Sequence, residues 1–444
     1  MQQKNARPEA QALAEGGSGT PLDRTALSEA FEYVFPIVEM GRLRLADLGA
    51  QGLAALQPLH AWRHNRKLFG AEDRWVTTPN SDTLYSSLWL DLRHGPVKLL
   101  LPDFEGRYYS LAFIDVATNN FAMAGRRTSG TRAGSFVVVG PDWPDPLPTG
   151  MRVIRAPTND VLVFARILVN GAEDLSAVTA LQEQFGVEML GAGELPPVWT
   201  ESPPRGNGPA AFVDMANIML GRNPPPNYET QLLARVASAG IDGASRWASL
   251  PASVQALWES AWPALHEDLE SASASGEPTI NGWRYSNIQA GNFGTNYAQR
   301  ARTALRGLLA LEPAEAYYAG TGVDQDGKPL SGAHRYRLCL SPEDLPVNAF
   351  WSLSMYCREA DGRSYFVANP IGRYAIGDRT PGLTVGPAGV IELWLQHSEP
   401  ADPGQRANWL PAPAGEFRVT LRAYEPRADF RDGRVRLPAV ERLD

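Results

Sequence analysis

The spacing of apolar residues changes character three times along this chain. Leu27, Phe31, Val34, Phe35 and Val38 recur at helical intervals and predict a helix over 26–40, which Pro36 should kink or shorten. A second helical stretch is predicted over 54–68, carrying His60 and His64. From Trp75 the period falls toward two. "WVTTPNSDTLYSSLWLDL", "GPVKLLLPDF", "RYYSLAFIDVATNNFAMAG", "GSFVVVGPDW" and "MRVIRAPTNDVLVFARILV" are short runs bounded by Pro, Gly and Asp, and read as antiparallel strands and turns. The helical period then returns. Leu175, Val178, Leu181 and Phe185 share a face behind Asp174, a candidate cap. Further helices are predicted over 208–221, from Pro251 with a bend at Pro263, and over 296–311. From about Ala314 strands resume in "EAYYAGTGV", "AHRYRLCL", "NAFWSLSMYC", "SYFVAN", "VIELWLQHS" and "GEFRVTLRAYEP".

Helices, sheet, helices, sheet is the order, and two sheet domains joined by a helical region is the simplest layout. The predicted fold class is mainly β with helical segments: two β-sandwich, jelly-roll-like domains over 25–170 and 313–444, a helical connection over 171–312, and a disordered tail over 1–24. The polar stretch Met1–Gly19 has neither the basic start nor the apolar run of a secretory signal. No run reaches the ~18 apolar residues a membrane span needs, so a cytoplasmic location away from membranes is expected.

Composition adds three points. Twelve Trp and 36 Pro suit sheets joined by shaped loops. The net charge of −8, with Arg residues scattered among acids, disfavours a nucleic-acid partner. The two cysteines, Cys339 and Cys357, sit in apolar strand-like runs and are expected buried and reduced, although sequence gives no distance and leaves a disulfide open.

Several segments carry a resemblance. Pro79-Asn80-Ser81-Asp82-Thr83-Leu84-Tyr85-Ser86, Gly95-Pro96, Arg107-Tyr108-Tyr109, Asp115 and "IRAPTND" resemble the DUF1254 signature. "NYAQRA", "PVNAFWSLSMY", "RYAIGDR" and "NWLPAPAGEFRVTLRAYEP" resemble DUF1214. Together they cover roughly residues 25–430. The resemblance implies two β-sandwich domains and little about function. The chain departs from the pattern at "LHAWRHNRKLF", where two histidines stand in place of one, which leaves open whether His60 or His64 matters.

Candidate chemistry lies in three places. Asn80, Asp82 and Tyr85 follow Pro79; an Asp among Asn, Ser and Thr suits a general base or ligand anchor, and equally an Asx-turn that caps a strand. Arg107, Tyr109 and Asp115 share one strand parity with apolar residues, and a buried charge there requires a partner, expected as Arg107–Asp82 or Arg107–Asp115. A structural ion pair and a carboxylate-binding pocket are the two readings. In the second β region Asn348 and Ser352 line a candidate cavity, with Arg373 and the Trp409 loop as its wall. Zinc, calcium, phosphate-loop, dinucleotide and serine-elbow motifs are absent from the sequence.

The leading expectation is a cofactor-independent enzyme acting on a small organic molecule by acid–base chemistry, as hydrolase or as lyase/isomerase. Asp82 or Asp115 is the base, Tyr85 or Tyr109 the proton donor, Arg107 the anchor, and His60 or His64 a shuttle. The alternatives are a non-catalytic binding protein whose paired jelly rolls build a homo-oligomer, and a metal enzyme drawing ligands from His60, His64, Asp82 and Asp115.

Overall fold

The structure, a computed structural model, describes residues 22–50, 53–74, 77–144, 150–191, 197–274, 279–345, 347–359 and 363–444. Of the tail expected over 1–24, residues 1–21 lie outside the described residues, as do Trp75, Val76 and Pro346 of the quoted segments; Asp23 and Arg24 are not tail but begin the first helix.

The first sandwich is built from β1 (Arg63–His64), β2 (Thr83–Asp91), β3 (Val97–Leu101), β4 (Tyr109–Ile114), β5 (Asn120–Gly125), β6 (Gly134–Val139), β7 (Arg152–Arg155), β8 (Asp160–Leu168) and β9 (Gly186–Met189). One sheet has the order β1-β2-β8-β4-β5 and the other β7-β6-β3-β9. Strict alternation sorts the side chains. Leu84, Leu88 and Leu90 of β2, Leu111 and Phe113 of β4, and Val161, Val163, Ala165 and Ile167 of β8 all enter the core between the sheets.

The second sandwich uses β10 (Thr279–Ile280), β11 (Trp283–Tyr285), β12 (Ala316–Thr321), β13 (Tyr336–Leu340), β14 (Val347–Arg358), β15 (Ser364–Tyr365), β16 (Ala375–Gly377), β17 (Ile391–Gln396), β18 (Trp409–Pro411), β19 (Arg418–Pro426) and β20 (Glu441–Arg442). A seven-stranded sheet runs β10-β11-β12-β19-β14-β15, with β16 also paired to β14, and faces the sheet β18-β17-β13-β20. Its core holds Leu338, Leu353, Leu393, Val419 and Leu421. The molecule is thus mainly β, with two sandwich-like domains. The stretch over 171–312 is not purely helical, since β9 joins the first sandwich and β10 and β11 join the second.

Helix α1 (Arg24–Leu48) starts at Asp23, whose carboxylate accepts from the Ala26 N–H. It runs on past Pro36, which therefore does not end it; packing of Phe31, Val34 and Val38 into a helical core outweighs the one lost backbone bond. Helices α2 (Leu175–Glu183), α3 (Pro209–Arg222), α4 (Thr230–Val236), α5 (Ala252–Ala274) and α6 (Tyr297–Gly307) follow, then the short α7 (Pro403–Ala407) and α8 (Ala428–Arg431). Asp174 does not cap α2 with its side chain. The helix expected over 54–68 is not one. His60 takes a left-handed φ of 58°, and Arg63 and His64 pair with Ser87 and Ser86 as an edge strand. Cys339 and Cys357 are free thiols on different sheets, each half-buried rather than buried. Among the described residues no helix is long and apolar enough to cross a membrane.

Candidate functional site between the sandwiches

The five-stranded sheet of the first sandwich has a second face. Alternation that puts leucines in the core puts Thr83, Tyr85, Ser87 and Trp89 of β2, Leu162, Phe164 and Arg166 of β8, and Tyr108, Ser110 and Ala112 on the opposite side. The seven-stranded sheet does the same with Tyr318, with Thr420, Arg422 and Tyr424, and with Phe350, Ser352, Ser354 and Tyr356. These two faces meet. Tyr108 packs edge-on against Phe350 at 5.1 Å and against Tyr424 at 5.5 Å.

Within this layer each sheet presents the same cross-strand row. Tyr85 lies opposite Arg166, which lies opposite Ser110. Tyr318 lies opposite Arg422, which lies opposite Ser352. Both guanidiniums are buried, Arg166 at 8% exposure and Arg422 at 6%. Neither has a carboxylate partner among the described residues. Arg422 donates to Ser354 Oγ at 2.8 Å and to the Thr78 carbonyl at 2.9 Å. Among the described residues Arg166 has only a long 3.4 Å bond to the Leu309 carbonyl, and its Nη1 has no acceptor. It lies over Phe164 at 5.0 Å and Tyr85 at 5.6 Å. Tyr85, Phe164 and Tyr318 keep partial exposure although they sit on inner strands, so the layer does not close over them. Burial raises the Tyr318 phenol, and the Arg166 and Arg422 charges oppose that rise. Phe69, Tyr356, Phe366, Tyr85 and Tyr374 form an aromatic wall at one end.

The segment 78–82 docks the first sandwich onto the second. Tyr356 donates to the Pro79 carbonyl at 2.7 Å, and Asn80 Nδ2 donates to the Tyr424 oxygen at 2.7 Å. Asn80 Oδ1 accepts from the Asp82 N–H at 2.6 Å, an Asx-type turn. Asp82 accepts from Ser352 Oγ at 2.6 Å and from Arg379 Nη2 at 2.8 Å. Asn80, Asp82, Tyr85 and Ser352 are therefore brought to one layer, and both Asp82 oxygens are engaged there.

The other sequence candidates lie elsewhere. Arg107 pairs with neither Asp82 nor Asp115. It forks onto Asp174, with Nη2–Oδ1 at 2.8 Å, because the start of β4 lies beside the turn before α2. Tyr109 faces the first core, stacks on Phe104 and bonds the Gly130 carbonyl at 3.0 Å. Asp115 follows β4, at the end of the sheet opposite Asp82, and holds a turn by accepting from Asn119 N at 2.9 Å and Nδ2 at 3.0 Å. His64 Nδ1 meets Ser86 Oγ at 2.8 Å on the core side of β2, and Gln182 donates to the same hydroxyl at 3.0 Å. His60 lies by the far end of β2, where its backbone N–H bonds the Trp89 carbonyl and, among the described residues, both ring nitrogens lack partners. Burial pushes both histidines down to about 4, so both are neutral at pH 7. Asn348 is exposed at the far end of β14. Arg373 donates to the Ala407 and Trp409 carbonyls at 3.0 and 2.8 Å, and Trp409 is buried with its indole on the Gln396 carbonyl, so the two brace a loop of the second sandwich. Among the described residues no three His, Cys, Asp or Glu side chains gather for a metal.

Arg166, Arg422, Tyr318 and Tyr424 were missed as candidates. For Arg166 the signal was legible in "VLVFARILV": one cation inside a strand whose two faces are both apolar or aromatic must be buried; Arg422 shares its face with Arg418 and Thr420 and carried no such signal. Two surface clefts, of about 540 and 330 Å³, lie elsewhere: Glu201 in the first is held by Arg246, and the second carries the exposed Arg152, which lies over Phe136 and has no carboxylate partner among the described residues.

Fold and site together define a two-sandwich protein with a cationic, tyrosine-lined layer between its halves. Residues 60–189 match the family model described as "Protein of unknown function (DUF1254)", and residues 315–428 match "Protein of unknown function (DUF1214)"; the chain belongs to the proteins that join these two domains. The VPA0106 protein from Vibrio parahaemolyticus, of known crystal structure, is 22% identical over 95% of this chain and 99% of its own, with a TM-score of 0.75, and shares the fold. An uncharacterized protein from Burkholderia cenocepacia, 12% identical over 96% of this chain and 91% of its own, has a TM-score of 0.47, too low to support an argument. No curated protein matches the chain significantly.

Proposed function

We propose that this protein binds a small organic anion, such as a carboxylate, in the layer between its sandwiches. One observation carries the reading: Arg166 is buried and, among the described residues, has no carboxylate partner and no acceptor for its Nη1. Removing a cation from water costs several kcal/mol unless a counter-charge repays it, roughly. A carboxylate takes a guanidinium fork by two parallel hydrogen bonds, and the Tyr85, Phe164 and Phe69 rings supply an apolar surface for the body of the molecule.

Acid–base turnover of that molecule is the second reading. It is favoured by the Tyr85 and Tyr318 phenols, which carry no hydrogen bond among the described residues while standing beside the two cations. Asp82 fits the role of free base poorly, because Ser352 and Arg379 already use both its oxygens.

Thermal unfolding against a panel of small carboxylates tests the binding. A true ligand raises the Tm of the wild type with concentration and leaves that of Arg166→Gln unchanged. A panel that shifts neither protein, or shifts both alike, overturns the proposal. For turnover, substrate loss is followed with Tyr85→Phe and Tyr318→Phe; binding retained with turnover lost in either variant supports it, and no turnover by the wild type removes it.

A further inference from the structure

The cationic face does not stop at Arg422. Alternation along β19 places Arg418, Thr420, Arg422 and Tyr424 on one side, and along β14 it places Ser352, Ser354, Tyr356 and Arg358 on that same side. Arg418 lies directly opposite Tyr356 in the ladder. Arg284 of β11 points the same way, since its neighbours Trp283 and Tyr285 fill the core, and its cross-strand row runs through Gly320 and Thr420 to Ser354. Arg306 reaches this region from α6: Arg358, Arg284 and Arg306 are the like charges that act on Arg418. Arg284, Arg306 and Arg358 are exposed, Arg418 is half-buried and Arg422 is buried. Among the described residues no carboxylate pairs with any of the five; Arg306 donates instead to Ser273 Oγ at 2.7 Å. Such a run is unexpected on a chain of net charge −8, where most arginines hold an acid within 4 Å, as Arg337 holds Glu392 and Glu441.

The carboxylates that border the layer are already matched. Asp82 is held by Arg379 and Ser352; Glu315 takes Arg127 Nε at 2.8 Å and the Tyr108 hydroxyl at 2.8 Å; Glu425 takes Arg126 at 2.6 Å. None of them turns to Arg166 or Arg422. The inner pair of guanidiniums therefore presents two positive charges, and the outer row a graded path of like sign leading inward.

We propose that the ligand of the interdomain layer is a small dianion, and that Arg284, Arg306, Arg358 and Arg418 form the path by which it reaches Arg422 and Arg166. This rests on the binding site proposed above and adds the ligand's charge and its route. A cleft lined by one sign of charge raises the association rate of an oppositely charged ligand by about tenfold or more at low salt, while leaving departure largely unaffected. Two buried cations favour two negative charges over one, because each charge left unmatched retains its desolvation cost.

The test uses the full-length protein with benzoate and phthalate, matched in ring and differing in one carboxylate, and with propionate and succinate. Tm shifts and intrinsic Trp fluorescence on rapid mixing are recorded from low to moderate salt. Phthalate or succinate should raise the Tm well beyond its monoanionic partner at equal concentration and ionic strength. The triple variant R284Q/R306Q/R358Q, altered only at exposed positions, should slow association about tenfold at low salt with an unchanged dissociation rate. Equal stabilisation by monoanions and dianions overturns the dianion assignment while the binding site stands. Undiminished association in the triple variant overturns the route. If none of the four anions stabilises the wild type, the binding site and the inference built on it fall together.

Discussion

Strands β2 and β8 carry buried charge at both ends, and the two ends differ in one respect. At one end Asp91 and Asp160 are cross-strand neighbours; Arg93, just past β2, forks onto Asp91 at 2.6 and 2.9 Å, and two helices supply the other counter-ions. Arg222 of α3 grips Asp160 at 2.7 and 2.8 Å and reaches Asp91 at 3.1 Å, while Arg44 of α1 stands 3.2 Å from Asp160. Asn223 adds bonds to the Asp160 carboxylate and backbone N–H. At the other end Tyr85 and Arg166 are neighbours, and no carboxylate among the described residues neutralises the cation. The first end is a closed electrostatic joint that fastens the helices to the sandwich. The second has the same ingredients with the counter-ion missing, and that difference separates a structural cluster from a site.

The largest effect should come from breaking the closed end. Asp160→Ala leaves Arg44 and Arg222 buried without their main partner and should cost about 3–5 kcal/mol, read by urea unfolding at pH 7. A loss near zero would mean that the cluster is not the joint described. Acid should act on the same residue. Burial works to raise the Asp160 carboxyl, but Arg44, Arg222 and Asn223 outweigh it and hold it at about 2, against an ordinary 3.8. A lowered folded value means that its stabilisation is complete above 3.8 and disappears as pH falls through about 2. The amount is roughly 2 kcal/mol. Stability measured across that window should slope less steeply in Asp160→Asn than in the wild type.

Intermediate effects belong to the docking segment. Asp82→Asn weakens the bond to Arg379 and should cost about 1–3 kcal/mol. An unchanged denaturation midpoint would return Asp82 to the list of candidate bases. Arg107→Ala opens a largely buried pair with Asp174 and removes a bond to the Leu168 carbonyl, and should cost about 1–3 kcal/mol, with anion-dependent Tm shifts intact; their disappearance would restore Arg107 as an anchor. Removing the unmatched charge should cost least of all. Arg166→Met deletes a buried cation that nothing pairs, and a gain on the order of 1 kcal/mol is expected together with loss of anion binding. A marked loss of stability would show that Arg166 is a structural cation after all, which would erase the contrast between the two ends.

Much of the architecture was legible in the chain, and the failures share a cause. Period-two runs such as "TLYSSLWLD" and "DVLVFARIL" marked central strands because both faces are buried. The segment 54–68 misled because its apolar residues pack by way of loops and a two-residue edge strand, whose only partner, β2, lies about twenty residues onward. Arg107 was correctly expected to need a counter-ion, but the choice among Asp82, Asp115 and Asp174 turned on which loop lies beside the start of β4.

Alternation and turn chemistry, local properties carried by each strand, decided in advance which residues share a face and that Asn80 would form a tight turn before β2. They also determined that Arg166 would be buried, because both faces of its strand are apolar or aromatic; Arg422 shares its face with Arg418 and Thr420, and the apposed sheet buried it. What no local rule contains is which face meets which. The approach of the two sheets placed Tyr85 and Arg166 across from Tyr318 and Arg422, more than 150 positions apart in sequence, and gave Asp82 to Arg379 and Ser352. Charge pairing falls off over a few ångströms, so only the folded chain could choose which charges find a partner and which are left open.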